Sequence, residues 1–140
     1  MDILHIPFIK KVGLEKNGNG ALTLPYNETV INHIQTIHAS ALYALAEAAS
    51  GELLQHLFPN LAGKVLPVVR EAQIKYKHPA TKPITAYPRV DEEAIEKFTG
   101  QLERKGRSII KVDVDIKDTE NNTACVGSFS WYVQSLQDKT

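Results

Sequence analysis

The residues best placed to do chemistry lie in one stretch, Asn32-His33-Ile34-Gln35-Thr36-Ile37-His38-Ala39-Ser40, with Glu47 nine residues beyond His38. The run from His38 to Leu54 is rich in alanine and leucine and free of proline, which predicts a helix of about 25 Å. The first turn of a helix leaves amide N–H groups unpaired, and these can receive an oxyanion or a polarised carbonyl. Ala39 and Ser40 stand at that turn and are small enough to let a ligand approach the backbone. Glu47 follows about two and a half turns later, as the one charged residue between Ala39 and Gly51. Burial there raises a carboxylate's pKa unless hydrogen bonds or a positive neighbour compensate. Such a group can activate water as a general base or attack as a nucleophile. The same residues also admit a plain structural reading, with Glu47 reaching solvent at the helix edge, His38 capping the helix and Asn32 making a turn.

Other constellations are missing. No Gly-x-Ser-x-Gly, His-Glu-x-x-His or Gly-x-x-x-x-Gly-Lys occurs. His33 and His38 are five apart, a spacing that does not stack two ligands on one helical face, so no metal site is expected.

The elements that would hold this helix are legible in outline. Residues 3–12 are apolar and β-leaning, and Asn17-Gly18-Asn19-Gly20 suits a tight hairpin whose returning strand, Ala21–Leu24, ends at Pro25. After the helix, four strands are predicted. Val65–Lys77 sets Val68, Ala72, Ile74 and Tyr76 on one face, and Ile84–Val90 follows. Ser108–Asp118 alternates Ile110, Val112, Val114 and Ile116 with charged residues. Thr123–Val133 aligns Cys125, Phe129, Trp131 and Val133. A short amphipathic helix, Asp91–Thr99, lies between the fourth and fifth strands and stops at Gly100. A helix with almost no polar face must be wrapped by the rest of the chain, which predicts an α+β domain: an antiparallel sheet around one central helix.

Composition bounds the partners. The 140 residues predict a single domain over 1–140, and their 16 basic and 16 acidic side chains set up no general field for nucleic acid or an anionic membrane. One cysteine allows no internal disulfide, and neither a secretory leader nor a long apolar span is visible, so a cytoplasmic location is expected.

The pattern Asn32…Thr36-x-His38-[small]-[small]…Glu47, on a long Ala/Leu helix after two strands, resembles the hotdog-fold thioesterases of the phenylacetate-pathway (PaaI-like) type. Ile74-x-Tyr76-x-x-Pro79-Ala80 resembles that family's third strand and its exit, and Arg104-Lys-Gly-Arg107 its basic turn before the fifth strand. The resemblance spans residues 20–134 and implies an acyl-CoA thioesterase with no cofactor beyond the coenzyme A of its substrate. It makes Glu47 the base or nucleophile and assigns Asn32 to positioning water or substrate. The Ala39 N–H would polarise the thioester carbonyl, His38 would shape the helix entry, and Ser50 would orient the water. Ser40, Leu42, Tyr43 and Leu54 would meet the acyl side. Lys75, His78, Arg104 and Arg107, with Lys77, Lys82 and Lys105, are the candidate contacts to coenzyme A phosphates. Members of the family pair, so a homodimer or a dimer of dimers is implied. The sequence departs from the family at its two glycines, here Ala39 and Ser40, and at the position where some relatives carry serine, here Val69. Loss of those glycines is also the feature of an alternative, a non-catalytic hotdog protein that binds acyl-CoA or another amphipathic small molecule.

Overall fold

Period-two alternation in residues 107–118 has its expected consequence in the computed structural model, which describes residues 1–136: Ile110, Val112, Val114 and Ile116 are all buried. They belong to β5 (Arg107–Asp118), paired antiparallel with β4 (Ile84–Arg89) and β6 (Thr123–Ser135). β3 (Val65–Tyr76) pairs with the far side of β6, while β2 (Leu22–Leu24) and the two-residue β1 (Glu15–Lys16) extend the sheet beyond β4. The order is β1-β2-β4-β5-β6-β3, antiparallel throughout.

The central helix, α2, runs from Ala39 to Leu57 and packs on β2, β4, β5 and β6. Ala41, Leu42, Leu45, Ala46, Ala48 and Ala49 are buried, and the alanines let the helix lie close to the sheet. Gly51 is needed for the same reason: a Cβ there would stand 3.1 Å from the Trp131 ring. This is the α+β hotdog arrangement, with the sheet wrapped around one long helix and an added helix between the fourth and fifth strands.

Three local expectations are corrected. Residues 3–12 form no strand. Asp2 caps a 3-10 turn at Ile3–His5, and helix α1 (Pro7–Val12) follows, closed by Gly13 at φ 92°. Pro7 lacks the N–H that a helix start leaves unpaired anyway, and Gly13 takes the left-handed conformation that ends a helix cheaply. Second, Gly100 does not stop the inserted helix: α3 runs Glu92–Lys105 and ends at Gly106, φ 74°. A mid-helix glycine costs about 1 kcal/mol, and the burial of Phe98 with the packing of Leu102 offsets it. Third, β3 carries a bulge between Val69 and Glu71. The extra residue shifts the inward row, so Val65, Val69, Ala72 and Ile74 pack on the core while Val68 is exposed.

Candidate functional site

The loop into α2 is folded by its own side chains. Asn32 Oδ1 accepts from the Ile34 and Thr36 backbone N–H groups, each at 3.0 Å, and its Nδ2 donates to Thr36 Oγ1 at 2.8 Å. The loop closes through an Ile31–Ile37 bridge and delivers His38 as the N-cap of α2. His38 Nδ1 accepts from the Ser40 N–H at 2.9 Å, which leaves the proton of the neutral ring on Nε2. No described residue accepts from the Ala39 N–H.

Ala39 also lines a cavity of about 420 Å³. Ala39, Ser40, Tyr43, Ala44 and Glu47 form one stripe of α2 along it, facing Tyr76 of β3 and Phe8 and Ile9 of α1. Ala39 and Glu47 are about 12 Å apart along the helix axis, and helical side chains lean toward the N-terminus, so the carboxylate reaches back toward the free N–H. Tyr76 donates its hydroxyl to the Ala39 carbonyl at 3.2 Å. The Tyr43 ring is fixed edge-on against Phe129, with centroids 5.5 Å apart. Burial, then the charge of Glu47, raises the Tyr43 pKa; burial, Cys125 and Tyr43 raise that of Tyr76. Both phenols therefore remain protonated donors at neutral pH.

Glu47 is half-buried, and burial raises its pKa. Its carboxylate has no hydrogen bond or ion pair within the described residues. The next acid on the same helix is treated differently. Glu52 is tied to Lys16 at 2.9 Å, and that bond raises the lysine's pKa. One carboxylate of α2 is thus neutralised, and the other stands in a cavity without a partner. This arrangement can take a proton from a water or attack an electrophilic carbon, beside a backbone donor for the oxygen that becomes negative.

Other expected site residues lie elsewhere. Ser50 is fully buried; it donates to the Glu47 carbonyl at 2.7 Å and accepts from Trp131 Nε1 at 2.8 Å, so its hydroxyl serves the helix–sheet joint. Leu42 is buried in the core and lines neither the cavity of Glu47 nor its neighbour. Lys75 alternates to the face opposite Tyr76, and His78, exposed, follows the strand end. Lys82 pairs with Glu120 at 3.0 Å. Arg104 and Arg107 flank the α3–β5 turn. Tyr76 is opposite Cys125, which is opposite Ile116, nine residues along β5 from Arg107; the arginines of the same chain are therefore about 30 Å from this cavity. Among the described residues, no three His, Cys, Asp or Glu side chains converge as a metal site.

Residues 7–133 match the family model DUF4442, described as a domain of unknown function. This chain belongs to the DUF4442 family. Several solved structures share the fold of this DUF4442 chain. A Pseudomonas aeruginosa protein described as a probable thioesterase is 22% identical with a TM-score of 0.79, over 95% of this chain and 91% of its own. A Haemophilus influenzae thioesterase is 19% identical with a TM-score of 0.73, over 98% and 89%. A Bacillus halodurans protein solved with CoA is 20% identical with a TM-score of 0.68, over 87% and 72%. At these identities the likeness shows the hotdog fold. None of the curated proteins matches in sequence.

Sequence reasoning missed Phe8, Ile9 and Ala44 as cavity walls, and assigned Tyr76 to a strand without a role. Alternation put Tyr76 on the inward row, which was a usable signal. Phe8 was passed over because residues 3–12 resembled a strand, although Pro7 and Gly13 mark the ends of its helix.

Proposed function

We propose that this chain is an acyl-CoA thioesterase, and that the PaaI-like pattern around Asn32, His38 and Glu47 describes its chemistry. One observation carries the reading: a half-buried, unpartnered carboxylate lines the same cavity as Ala39, the first residue of α2, whose N–H has no acceptor among the described residues. Glu47 takes a proton from water as the oxygen forms its bond to the thioester carbon. The Ala39 N–H receives the resulting oxyanion. On collapse the C–S bond breaks, and the coenzyme A thiolate leaves and is protonated, with no cofactor required. Attack by Glu47 itself, giving an anhydride that water then opens, uses the same geometry. His38 holds the helix entry, Asn32 holds the loop before it, and Ser40 and Tyr43 flank the acyl group. The descriptions of the Pseudomonas and Haemophilus proteins as thioesterases, and the CoA of the Bacillus protein, support this choice of substrate.

The edge of β3 favours a homodimer. Among the described residues this 12-residue strand pairs with β6 on one side only, and its other edge is open, with Leu66, Val68 and Tyr76 exposed on the strand. Two copies paired antiparallel along β3 set the Tyr76 end of one opposite the Val65 end of the other. Arg104 and Arg107 of the second copy then approach the cavity that their own chain's Glu47 does not share with them, and can meet coenzyme A phosphates.

The test is hydrolysis of a panel of acyl-CoA esters with detection of free thiol. Burial, then Asp115, pushes the Cys125 thiol up to about 12, so the folded protein adds no background. Glu47→Gln is expected to lower kcat by about 10²- to 10⁴-fold; unchanged hydrolysis rejects the mechanism. The β-carbons of Ala39 and Ser40 at the helix entry favour the second reading, a non-catalytic binder, and tight acyl-CoA binding without turnover at any chain length would establish it.

A further inference from the structure

A second cavity, of about 630 Å³, opens on the same face of α2 beyond Glu47. Leu54, Phe58, Val65, Phe98, Trp131 and Val133 form its walls, with the Phe58 and Phe98 rings 5.0 Å apart. No Asp, Glu, Lys or Arg lines it. It is completed by Ile3, Ile6 and the Phe98 of α3, parts of the chain that lie outside the strands and helix of the hotdog pattern.

We propose that this cavity receives an aliphatic acyl tail, so that the substrate is a fatty-acyl thioester of about a dozen carbons and not a short or arylacetyl one. The proposal rests on the thioesterase reading of the Glu47 site. Tyr43, Glu47, Gly51 and Leu54 succeed one another along one face of α2, leading from the first cavity into the second. Gly51 borders the second cavity, and its missing side chain lets the Trp131 ring pack against α2 as part of the cavity wall. Trp131 is bonded to Ser50, and Ser50 to the carbonyl of Glu47, so the tail wall and the turn carrying the carboxylate form one hydrogen-bonded unit. From Glu47 to Phe58 the helix advances about 16 Å. A saturated chain advances about 1.2 Å per bond, which matches roughly a dozen carbons. Gln55 and His56 are the polar side chains of a lining that is otherwise apolar, which suits methylenes. Each methylene leaving water is expected to raise affinity about fourfold.

Trp131 is the chain's one tryptophan, which makes it a reporter of occupancy. Titration with 12-bromododecanoic acid should quench its fluorescence saturably, whereas acetyl-CoA should not. Ala62, an exposed residue of the cavity wall, can be enlarged without disturbing the core. Ala62→Phe should weaken the bromoacid at least tenfold and lower kcat/KM for dodecanoyl-CoA at least tenfold, with butanoyl-CoA unchanged. No quenching of the wild-type protein, or equal quenching of the variant, overturns the proposal. Hydrolysis of acyl-CoA without quenching keeps the thioesterase and removes this tail site. Quenching without hydrolysis of any acyl-CoA keeps the cavity as a fatty-acyl site and removes the thioesterase.

Discussion

At the residue scale, the contrast between Glu47 and Glu52 separates an unpartnered carboxylate in a cavity from one tied to Lys16. Burial raises the Glu47 pKa in the folded state above its unfolded value, so between the two values the folded chain holds more protons. Folding stability from this group is therefore fully present below that window and falls as pH rises through the folded pKa. Glu47→Gln removes the penalty, and thermal melts above the window should give a Tm equal to or higher than that of the wild-type protein. Under the proposed mechanism activity runs the opposite way, because a general base must be ionised. The pH profile of kcat/KM should rise with an apparent pKa above the ordinary carboxylate value of about 4.3; a limb at or below that value would remove Glu47 from the role. The half-buried place of Glu47 was legible in the sequence because a lone acid on an apolar helix stands out against its neighbours. Ser50 was not, because its hydroxyl is the same group whether it meets a water or an indole 81 residues away.

At the element scale, the joint between α2 and β6 depends on that pair. Ser50→Ala leaves the Trp131 N–H without its partner and should cost about 1–3 kcal/mol, measured by urea unfolding. A change below about 0.5 kcal/mol would show that water replaces the serine. Long elements with strong periodicity were recoverable from sequence, as β5 and α2 show. The misreadings arose where tertiary packing outweighs local propensity. Phe98 and Leu102 carry α3 through Gly100, and one added residue in β3 exchanges Val69 for Val68 on the core side. The N-terminal helix carried readable signals, Pro7 at its start and Gly13 after its end, which the apolar character of residues 3–12 outweighed.

At the scale of the whole molecule, charge is balanced overall and separated locally. The cavity that holds Glu47 lies near the Tyr76 end of the sheet and the arginines near the other, a separation that no strand pattern reveals without the register. Sedimentation should give twice the 15.6 kDa chain mass. Mixing Glu47→Gln chains with chains carrying Arg104→Ala and Arg107→Ala should recover part of the hydrolysis that each lacks alone, because one site of the mixed dimer then has both parts. A monomeric mass, or no recovery on mixing, would remove the shared site. Among the described residues no helix is long and apolar enough to cross a membrane.

The first dozen residues border both cavities: Ile3 and Ile6 close the larger one, and Phe8 and Ile9 close the one holding Glu47. A single short segment is thus a common lintel over two rooms. Under the proposed function, a substitution in this segment that admits a longer tail would also change how tightly water is kept from the reacting carbon, so chain-length selectivity and turnover would respond together.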